Sequence, residues 1–337
     1  MVTERPGAVG VETRFESHRV ELTAYCYRML GSGFEAEDAV QETLIRAWRG
    51  FERFEGRSTL RAWLYSIATN VCLNMLKGAQ RRARPMDLGP AGTGDAPLGP
   101  ALTERVWVGP VPDRRALPAD GDPAELAVAR ESIRLAFVAA LQLLPPRQRA
   151  VLILRDVLRW SAADVAGLLE ISVVSVKSAL QRARATLATS GHASPGPDAL
   201  PAAPLDDEHL ALLDRYVEAL ERWDIDGFVA LLHEDAIVAM PPHPLWLQGA
   251  GDIHRWFQGT SSRIRTLRTA ANGSPAVGLY RAERPGGPYD AFDLQVIELS
   301  GGRITAIHCY LDSTLFPLFD LPTRWTRGRA DPSPEPE

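Results

Sequence analysis

Apolar positions in the first part of the chain recur at steps of three and four residues, a spacing typical of amphipathic helices. Along residues 37–49 one face collects four apolar side chains, Val40, Leu44, Ala47 and Trp48. A second stripe continues along Leu60, Leu64, Ile67, Val71 and Met75. An earlier amphipathic segment, Phe15 to Leu30, stops before Gly31, as helices often do. The pattern predicts an all-α domain of three to four helices over residues 11–84.

A second helical block begins at Asp122, which has the features of a helix N-cap. The spacing predicts a helix from there to about residue 144. Ser161 then opens a short helix and Ser172 a longer one, with only a short turn between them. Two capped helices this close together are typical of a helix-turn-helix. We therefore expect a second all-α domain over residues 122–190.

The pattern changes from helical to strand-like after residue 204. A predicted helix over residues 206–222 precedes four runs with strand character, at residues 236–240, 276–282, 291–299 and 303–310. Ser300-Gly301-Gly302 joins the last two runs as a hairpin. Helices followed by an antiparallel sheet predict an α+β domain over residues 205–325.

The remaining stretches are rich in Pro, Gly or Ala and lack either period. Residues 85–121 and 191–204 are predicted linkers, and residues 326–337 a disordered tail. Trp107 lies in the first of these predicted linkers, where so large an apolar side chain is unusual. It packs either on one of the protein's own domains or inside a partner.

The distribution of charged residues along this chain is unusual for a helical protein. The net charge is −5, yet residues 57–84 contain no Asp or Glu, and the helix that Ser172 opens is also basic. A surface of one sign attracts a polyanion such as DNA, while a solvated helix face is the alternative.

Several classes of protein are not expected from this composition. The first residues lack the apolar core of a signal peptide, and no apolar run approaches the length of a membrane span, so a cytoplasmic protein that makes no membrane contact is expected. Cys26, Cys72 and Cys309 are isolated in sequence, which favours buried thiols over a metal site. No cofactor is expected.

Two ordered blocks of sequence resemble one known family. The stretches EDAVQET, GRSTLRAWL and IATNVCLNMLK resemble region 2 of the sigma-70 superfamily, in its extracytoplasmic-function class. The later stretch LPPRQRAVLILRDV and the segment VKSALQRARATL resemble region 4. The resemblance implies a sigma factor that binds core RNA polymerase and directs promoter recognition and transcription initiation. Val174, Ser175 and Ala179 depart from the usual region 4 pattern, so the upstream promoter sequence does not follow from it.

The resemblance also implies roles for individual residues. The first helix docks on the β′ clamp helices of the polymerase core through Asp38, Gln41, Glu42 and Arg46. Contacts with promoter DNA are expected from Arg57, Ser58, Thr59, Arg61, Asn70, Asn74, Lys77, Ser172, Ser175, Lys177, Ser178, Arg182 and Arg184.

The C-terminal stretch LLDRYVEALERWDIDGFVALLHEDAIVAMPP resembles the SnoaL-like domains, α+β cones around an apolar pocket. The resemblance implies a possible pocket for a small-molecule ligand, with candidate residues His243, Trp246, His308 and Tyr310. We expect this domain to regulate the sigma factor and to contribute no catalytic residue. The alternative is a helix-turn-helix regulator tethered to a SnoaL-like enzyme, which leaves the region 2 block without a role.

Overall fold

The computed structural model describes residues 8–56, 58–79, 81–103, 106–189, 207–260 and 263–325. Arg57, the second predicted linker and the predicted disordered tail lie outside them. The chain divides into two compact units. The first contains Met1–Arg84, Thr103–Pro204 and Ala270–Ser274, and the second contains Pro85–Leu102, Leu205–Thr269 and Pro275–Glu337. No helix in the described ranges combines the length and the apolarity needed to cross a membrane.

The described part of the first unit is helical. Its helices are α1 (Ala8–Glu16), α2 (Arg19–Leu30), α3 (Gly33–Gly50), α4 (Leu60–Met75), α5 (Asp113–Ala116), α6 (Pro123–Glu131), α7 (Leu135–Leu141), α8 (Pro146–Leu152), α9 (Ala162–Leu169) and α10 (Val173–Thr189). Gly31 ends α2 in the left-handed conformation, with φ 73°, where glycine has no steric cost. Ser32 then caps α3 by accepting a hydrogen bond from the Glu35 amide.

The bundle of α2, α3 and α4 forms the first core. Leu22, Met29 and Leu64 are fully buried, and the hydroxyls of Tyr25 and Thr69 are 2.7 Å apart. This confirms the helices predicted for this region, with two corrections. Met75 was expected on the inner stripe of α4, but its side chain is 36% exposed. Trp48 was expected on the inner face of α3, but its side chain is 46% exposed.

The helix predicted from residue 122 to about residue 144 is two helices, so that prediction was wrong in its length. Asp122 does cap α6, because its carboxylate accepts hydrogen bonds from the amides of Ala124 and Glu125. The break follows at Ser132, whose hydroxyl donates to the Ala129 carbonyl and accepts from the Arg28 guanidinium at 2.6 Å. Arg28 is buried, so a distant cation fixes the end of α6.

Ala270–Ser274 contribute a polar contact to the first unit. Asn272 is buried with φ 57°, a conformation that asparagine adopts more readily than most residues. Its amide nitrogen donates to the Tyr27 hydroxyl at 2.6 Å and to the Ile133 carbonyl at 2.7 Å, while its oxygen accepts from the Val111 amide at 3.0 Å. One side chain thus satisfies buried polar groups from three other segments of this unit.

Trp107 is also buried within the first unit. The residue forms an isolated bridge with Ala83, and its carbonyl accepts a hydrogen bond from Arg82 at 2.9 Å. Of the two alternatives for this tryptophan, the structure favours packing on the protein's own helical unit.

The second unit is α+β. Its helices are α11 (Asp207–Arg222), α12 (Ile225–Val229) and α13 (Ala250–Gln258). Its strands are β1 (Leu232–Ala239), β2 (Trp246–Gln248), β3 (Arg263–Ala271), β4 (Ser274–Ala282), β5 (Tyr289–Ser300), β6 (Arg303–Tyr310) and β7 (Arg324–Trp325). The strand order is β2-β1-β6-β5-β4-β3, and β7 pairs with β5.

The predicted hairpin between β5 and β6 is confirmed, because Ser300 pairs with Arg303 across Gly301 and Gly302. The sheet was predicted to be antiparallel, which holds for the described pairs β1–β2, β4–β5 and β5–β6 but is wrong for β1 and β6, which run parallel. The pattern missed β2, β3 and β7. One face of the sheet packs on α11 and forms the second core, in which Tyr216 and Ile297 are fully buried.

Candidate functional site

The outer face of α3 carries the residues expected to bind the polymerase core. Asp38 and Gln41 are exposed, and Arg46 donates a 2.6 Å hydrogen bond to Glu42 one turn earlier. Beside them lie two exposed apolar side chains, Ile45 at 41% and Trp48 at 46%. Clustered apolar side chains rimmed by polar ones are typical of protein-binding surfaces. The helical period alone placed Trp48 inward and so missed this surface.

The connection from α3 to α4 rests on an aromatic cluster. The rings of Phe54 and Trp63 lie 4.8 Å apart, and Phe51 packs against both. Thr59 caps α4 by accepting a hydrogen bond from the Ala62 amide at 3.1 Å. Ser58 and Thr59 are both exposed, so the cluster supports a short polar loop on the surface.

The exposed face of α4 carries most of the candidate residues that follow this loop. Asn70, Asn74 and Lys77 are exposed, and Lys77 Nζ donates to Asn74 Oδ1 at 2.8 Å. Arg61 differs, because its guanidinium donates to the Glu21 carboxylate at 2.7 Å and lies over the rings of Tyr65 and Trp160. Arg61 is therefore partly engaged inside the protein, although its side chain is 43% exposed.

The helix-turn-helix is formed by α9 and α10. Ser161 and Asp164 make a capping box at the start of α9, and Glu170 ends it in the left-handed conformation, with φ 53°. The short connection leads directly into α10, whose Val176, Leu180, Ala183 and Leu187 are buried.

The exposed face of α10 presents most of its predicted DNA-binding residues. Ser172, Ser175, Lys177, Arg182 and Arg184 are exposed, and Ser178 is half-buried. The Ser172 hydroxyl accepts from the Ser175 amide at 3.1 Å, and Arg182 donates to the Ser178 hydroxyl at 2.8 Å. Val174 is 75% exposed near the start of the helix. Hydroxyls, cations and an apolar tip on one face match the groups that read base edges and phosphates in a major groove.

Three of the four residues expected to line a ligand pocket lie on one face of the sheet, because Trp246 pairs with Ala239 and Ala239 pairs with His308, and Tyr310 follows two residues after His308. His243 Nδ1 is 2.8 Å from the Gly99 carbonyl, and Trp246 Nε1 donates to the Gly89 carbonyl at 2.9 Å. Both therefore contact the segment Pro85–Leu102 of the same unit. His308 and Tyr310 alternate with Cys309 along β6, so they lie on the opposite face of the sheet from the Cys309 side chain, which packs in the core with Tyr216.

A buried polar cluster that the sequence did not indicate lies on the core side of this sheet. Asp293 is fully buried, and its carboxylate accepts from the Gln295 amide at 2.7 Å, while the Gln295 oxygen accepts from the Tyr216 hydroxyl. Burial raises the pKa of Asp293 to about 7, and the neighbouring Gln295 amide and Cys309 thiol offset only part of that rise. The only sequence signal for this cluster was the alternation along β5, which places Asp293 and Gln295 on the same face as Ile297.

Comparison with protein families matches three segments of the chain. Residues 14–82 match sigma-70 region 2, residues 134–187 match sigma-70 region 4, and residues 213–307 match the SnoaL-like domain.

Comparison with individual proteins extends the likeness over nearly the whole chain. The chain is 45% identical over 326 residues to the ECF RNA polymerase sigma factor SigG of Mycobacterium tuberculosis, an alignment that covers 95% of this chain and 85% of SigG. It is 28% identical over 288 residues to SigJ of the same organism, covering 81% of this chain and 82% of SigJ. The crystal structure of SigJ has a TM-score of 0.55 with 23% identity, covering 92% of this chain and all of the other, and so shares the fold. The chain belongs to the extracytoplasmic-function sigma factors of RNA polymerase and carries a SnoaL-like domain at its C-terminal end.

Proposed function

We propose that this protein binds core RNA polymerase through α3, contacts the downstream promoter element through the exposed face of α4, and reads the upstream element through α10. Family membership supports the overall role, and the exposed surface of each helix supports its part. The single observation that carries the docking assignment is the pair of exposed apolar side chains, Ile45 and Trp48, among the polar residues of α3.

The same surface explains why polar and apolar residues both matter for docking. The Glu42–Arg46 pair is half exposed on both sides, so it contributes little to the stability of the bundle. An ion pair of this kind is free to exchange partners when a charged surface approaches. Trp48 supplies the large buried area that protein interfaces concentrate in a few aromatic residues.

A pull-down with core polymerase, followed by promoter-dependent transcription in vitro, tests the docking assignment. Trp48→Ala is expected to weaken core binding by at least about tenfold, the loss of a typical interface hot spot. Leu210→Ala is the matched control, because Leu210 is also exposed, at 44%, but lies on α11 in the second unit. Core binding unchanged by Trp48→Ala would reject α3 as the docking helix.

Charge changes at the Glu42–Arg46 pair separate docking from folding. Either single reversal, Glu42→Lys or Arg46→Glu, is expected to weaken core binding while the helix content stays unchanged. The double exchange restores an ion pair within α3, though with the reverse order of charges. If the double exchange also restored core binding, the pair would act within the helix and not on the polymerase.

For the C-terminal unit, we propose a regulatory role that responds to a small-molecule ligand. The first turn of α11 carries the acids Asp207 and Glu208, which support a module of the opposite sign to the DNA-binding faces. Its buried Asp293 cluster offers a site at which single substitutions are expected to alter this unit alone. Asp293→Asn is expected to change promoter output at equal protein level. Unchanged output, with and without cell extract as a source of ligand, would remove the regulatory assignment.

A further inference from the structure

A cavity of about 590 Å³ opens inside the first unit. One wall is formed by the end of α4 and the turn after it, and the facing wall by the connection from α7 to α8. Four charged side chains line it: Glu35, Arg81, Arg82 and Arg149. The cavity therefore lies between the two helical blocks that bind DNA in the proposed function, at a place where cations outnumber acids.

Arg149 is the unusual member of this set. It is only 4% exposed, yet its guanidinium meets no carboxylate among the described residues. The hydrogen bonds from this group all go to uncharged oxygens: the Met29 carbonyl, the Gln142 side chain at 2.6 Å, the Gln142 carbonyl at 3.3 Å and the Leu144 carbonyl at 3.1 Å. Its Nε has no partner in the described part of the chain. A buried cation held only by dipoles is costly unless an anion completes the site.

The neighbouring arginines increase this imbalance. Arg82 forms an ion pair with Glu35 at 2.6 Å, so these two charges cancel. Arg81 is exposed at the cavity and, within the described ranges, has no ion pair or hydrogen bond. Burial lowers the pKa of Arg149 to about 10, and the nearby like charge of Arg81 contributes to the lowering. Two cations thus remain without a counter-charge.

We propose that this cavity binds a phosphorylated small molecule of nucleotide size, with the phosphate between Arg81 and Arg149. Arg81 offers its planar guanidinium fork to the phosphate oxygens, with which it can form strong charge-assisted hydrogen bonds. The terminal N–H groups of Arg149 already donate to protein oxygens, so Arg149 contributes its positive charge. Leu76, Leu144 and Met75 give the same cavity apolar walls for the body of the ligand. The volume lies within the range of ordinary small-molecule sites.

The position of Arg149 distinguishes this ligand from a DNA backbone. A duplex presents its phosphates on a convex surface, whereas Arg149 lies almost completely buried at the wall of a concave space. A small anion enters such a space and a duplex does not. Because both helical blocks contribute walls, the bound anion would hold them in one arrangement and stabilise the first unit against unfolding.

The test measures binding to the full-length protein by calorimetry, together with the thermal unfolding midpoint, at constant ionic strength. The probes are ATP, inorganic phosphate and adenosine. ATP is expected to bind and to raise the midpoint, phosphate to bind more weakly, and adenosine to give no signal. Arg81→Ala, an exposed position, is expected to weaken ATP binding by at least about tenfold, the loss of one charge-assisted hydrogen bond.

Two further variants make the test specific. Arg149→Lys keeps the positive charge but cannot make the four hydrogen bonds that hold the guanidinium, so it is expected to lower the unfolding midpoint of the free protein and to weaken ATP binding. Arg147→Ala is the matched control, because Arg147 is exposed on the same helix and does not line the cavity; its ATP affinity is expected to be unchanged. Absence of ATP and phosphate binding at millimolar concentration overturns the proposal. Equal affinity in Arg81→Ala and wild type, or displacement of ATP by a nonspecific duplex, also overturns it.

Discussion

Arg184 donates two hydrogen bonds to Asp156, at 2.9 and 2.7 Å, and this pair joins α10 to the helical segment Ile153–Val157. One cation of the proposed recognition helix is therefore neutralised inside the helix-turn-helix. Lys177 and Arg182 have no carboxylate partner among the described residues, and Arg182 donates only to the Ser178 hydroxyl. The three basic residues of α10 are thus unequal in their freedom to meet a phosphate.

We predict that Lys177→Ala and Arg182→Ala each lower promoter affinity and reduce the salt dependence by about one unit of slope, because one phosphate contact is lost. Arg184→Ala is expected to change this slope less, since its charge is already paired with Asp156. Affinity of the reconstituted polymerase for a fluorescent promoter duplex, measured over a series of salt concentrations, gives the slopes. A larger loss of slope in Arg184→Ala than in Arg182→Ala would contradict the assignment.

A second prediction concerns the exposed amides of α4. Asn70→Ala and Asn74→Ala are expected to impair promoter opening more than promoter binding, because amides that bond unpaired bases act only after the strands separate. Permanganate footprinting of the melted region, compared with total occupancy, measures the difference. Gln258→Ala removes an exposed amide from α13 and is the control. Normal footprints in both asparagine variants would leave α4 without this role.

A third prediction follows from the buried carboxyl of the second unit. Burial raises the pKa of Asp293 from its ordinary 3.8 to about 7, so the folded state binds this proton more tightly than the unfolded state. The stability from this group is complete below pH 3.8 and is lost as the pH rises toward about 7. Each unit of pKa shift corresponds to about 1.4 kcal/mol.

Asp293→Asn replaces the carboxyl with an amide that does not titrate, so this contribution to the pH dependence of stability is lost. The variant is expected to be less sensitive to pH than the wild type and more stable at about pH 8, as read from urea unfolding midpoints at about pH 5 and about pH 8. The comparison between variant and wild type is essential, because burial also raises the pKa of Asp113 to about 6 in the first unit. Equal pH dependence in the two proteins would show that Asp293 does not titrate in this range.

The side chain of Asn272 is the subject of the last prediction. Asn272→Ala removes three hydrogen bonds and leaves the Val111 amide and the Ile133 carbonyl buried without this partner. The expected loss is roughly 2–4 kcal/mol of unfolding free energy of the first unit. Asn272→Gly tolerates the positive φ but makes no side-chain bond, so it should be destabilised as well. A Gly variant as stable as wild type would assign the effect to backbone strain instead.

The sequence pattern predicted helices and strands where one apolar face decides the structure, as in α4, α10 and the β5–β6 hairpin. It was wrong where a distant group decides. The break after α6 lies at Ser132, which contacts Arg28, a buried cation far away in the chain, and a single serine does not predict the end of a helix. Strand β3 was missed because Arg263, Arg265 and Arg268 reduce its apolar character.

The candidate site was also predictable where local sequence decides the structure and not where a distant group decides it. Residues on α3, α4 and α10 were predicted from family motifs and lie on exposed faces, while Arg57 lies outside the described residues. The exposure of Trp48 was not predictable, because a helical period shows which side chains share a face but not whether a neighbour covers it. The Asp293 cluster was not predictable for a similar reason. A single carboxyl in an apolar strand is expected to face solvent, and the sequence does not show that α11 covers it.

The contribution of Ala270–Ser274 to the first unit has a consequence for synthesis of the chain. These residues are made only after about half of residues 205–337 has been synthesised. Until then Tyr27, Val111 and Ile133 lack the asparagine that satisfies them, so the newly made DNA-binding part remains incomplete. A nascent or prematurely terminated chain therefore carries the sigma sequence without the full stability of the finished unit, and cutting at residue 190 yields a fragment that misses part of its own interior.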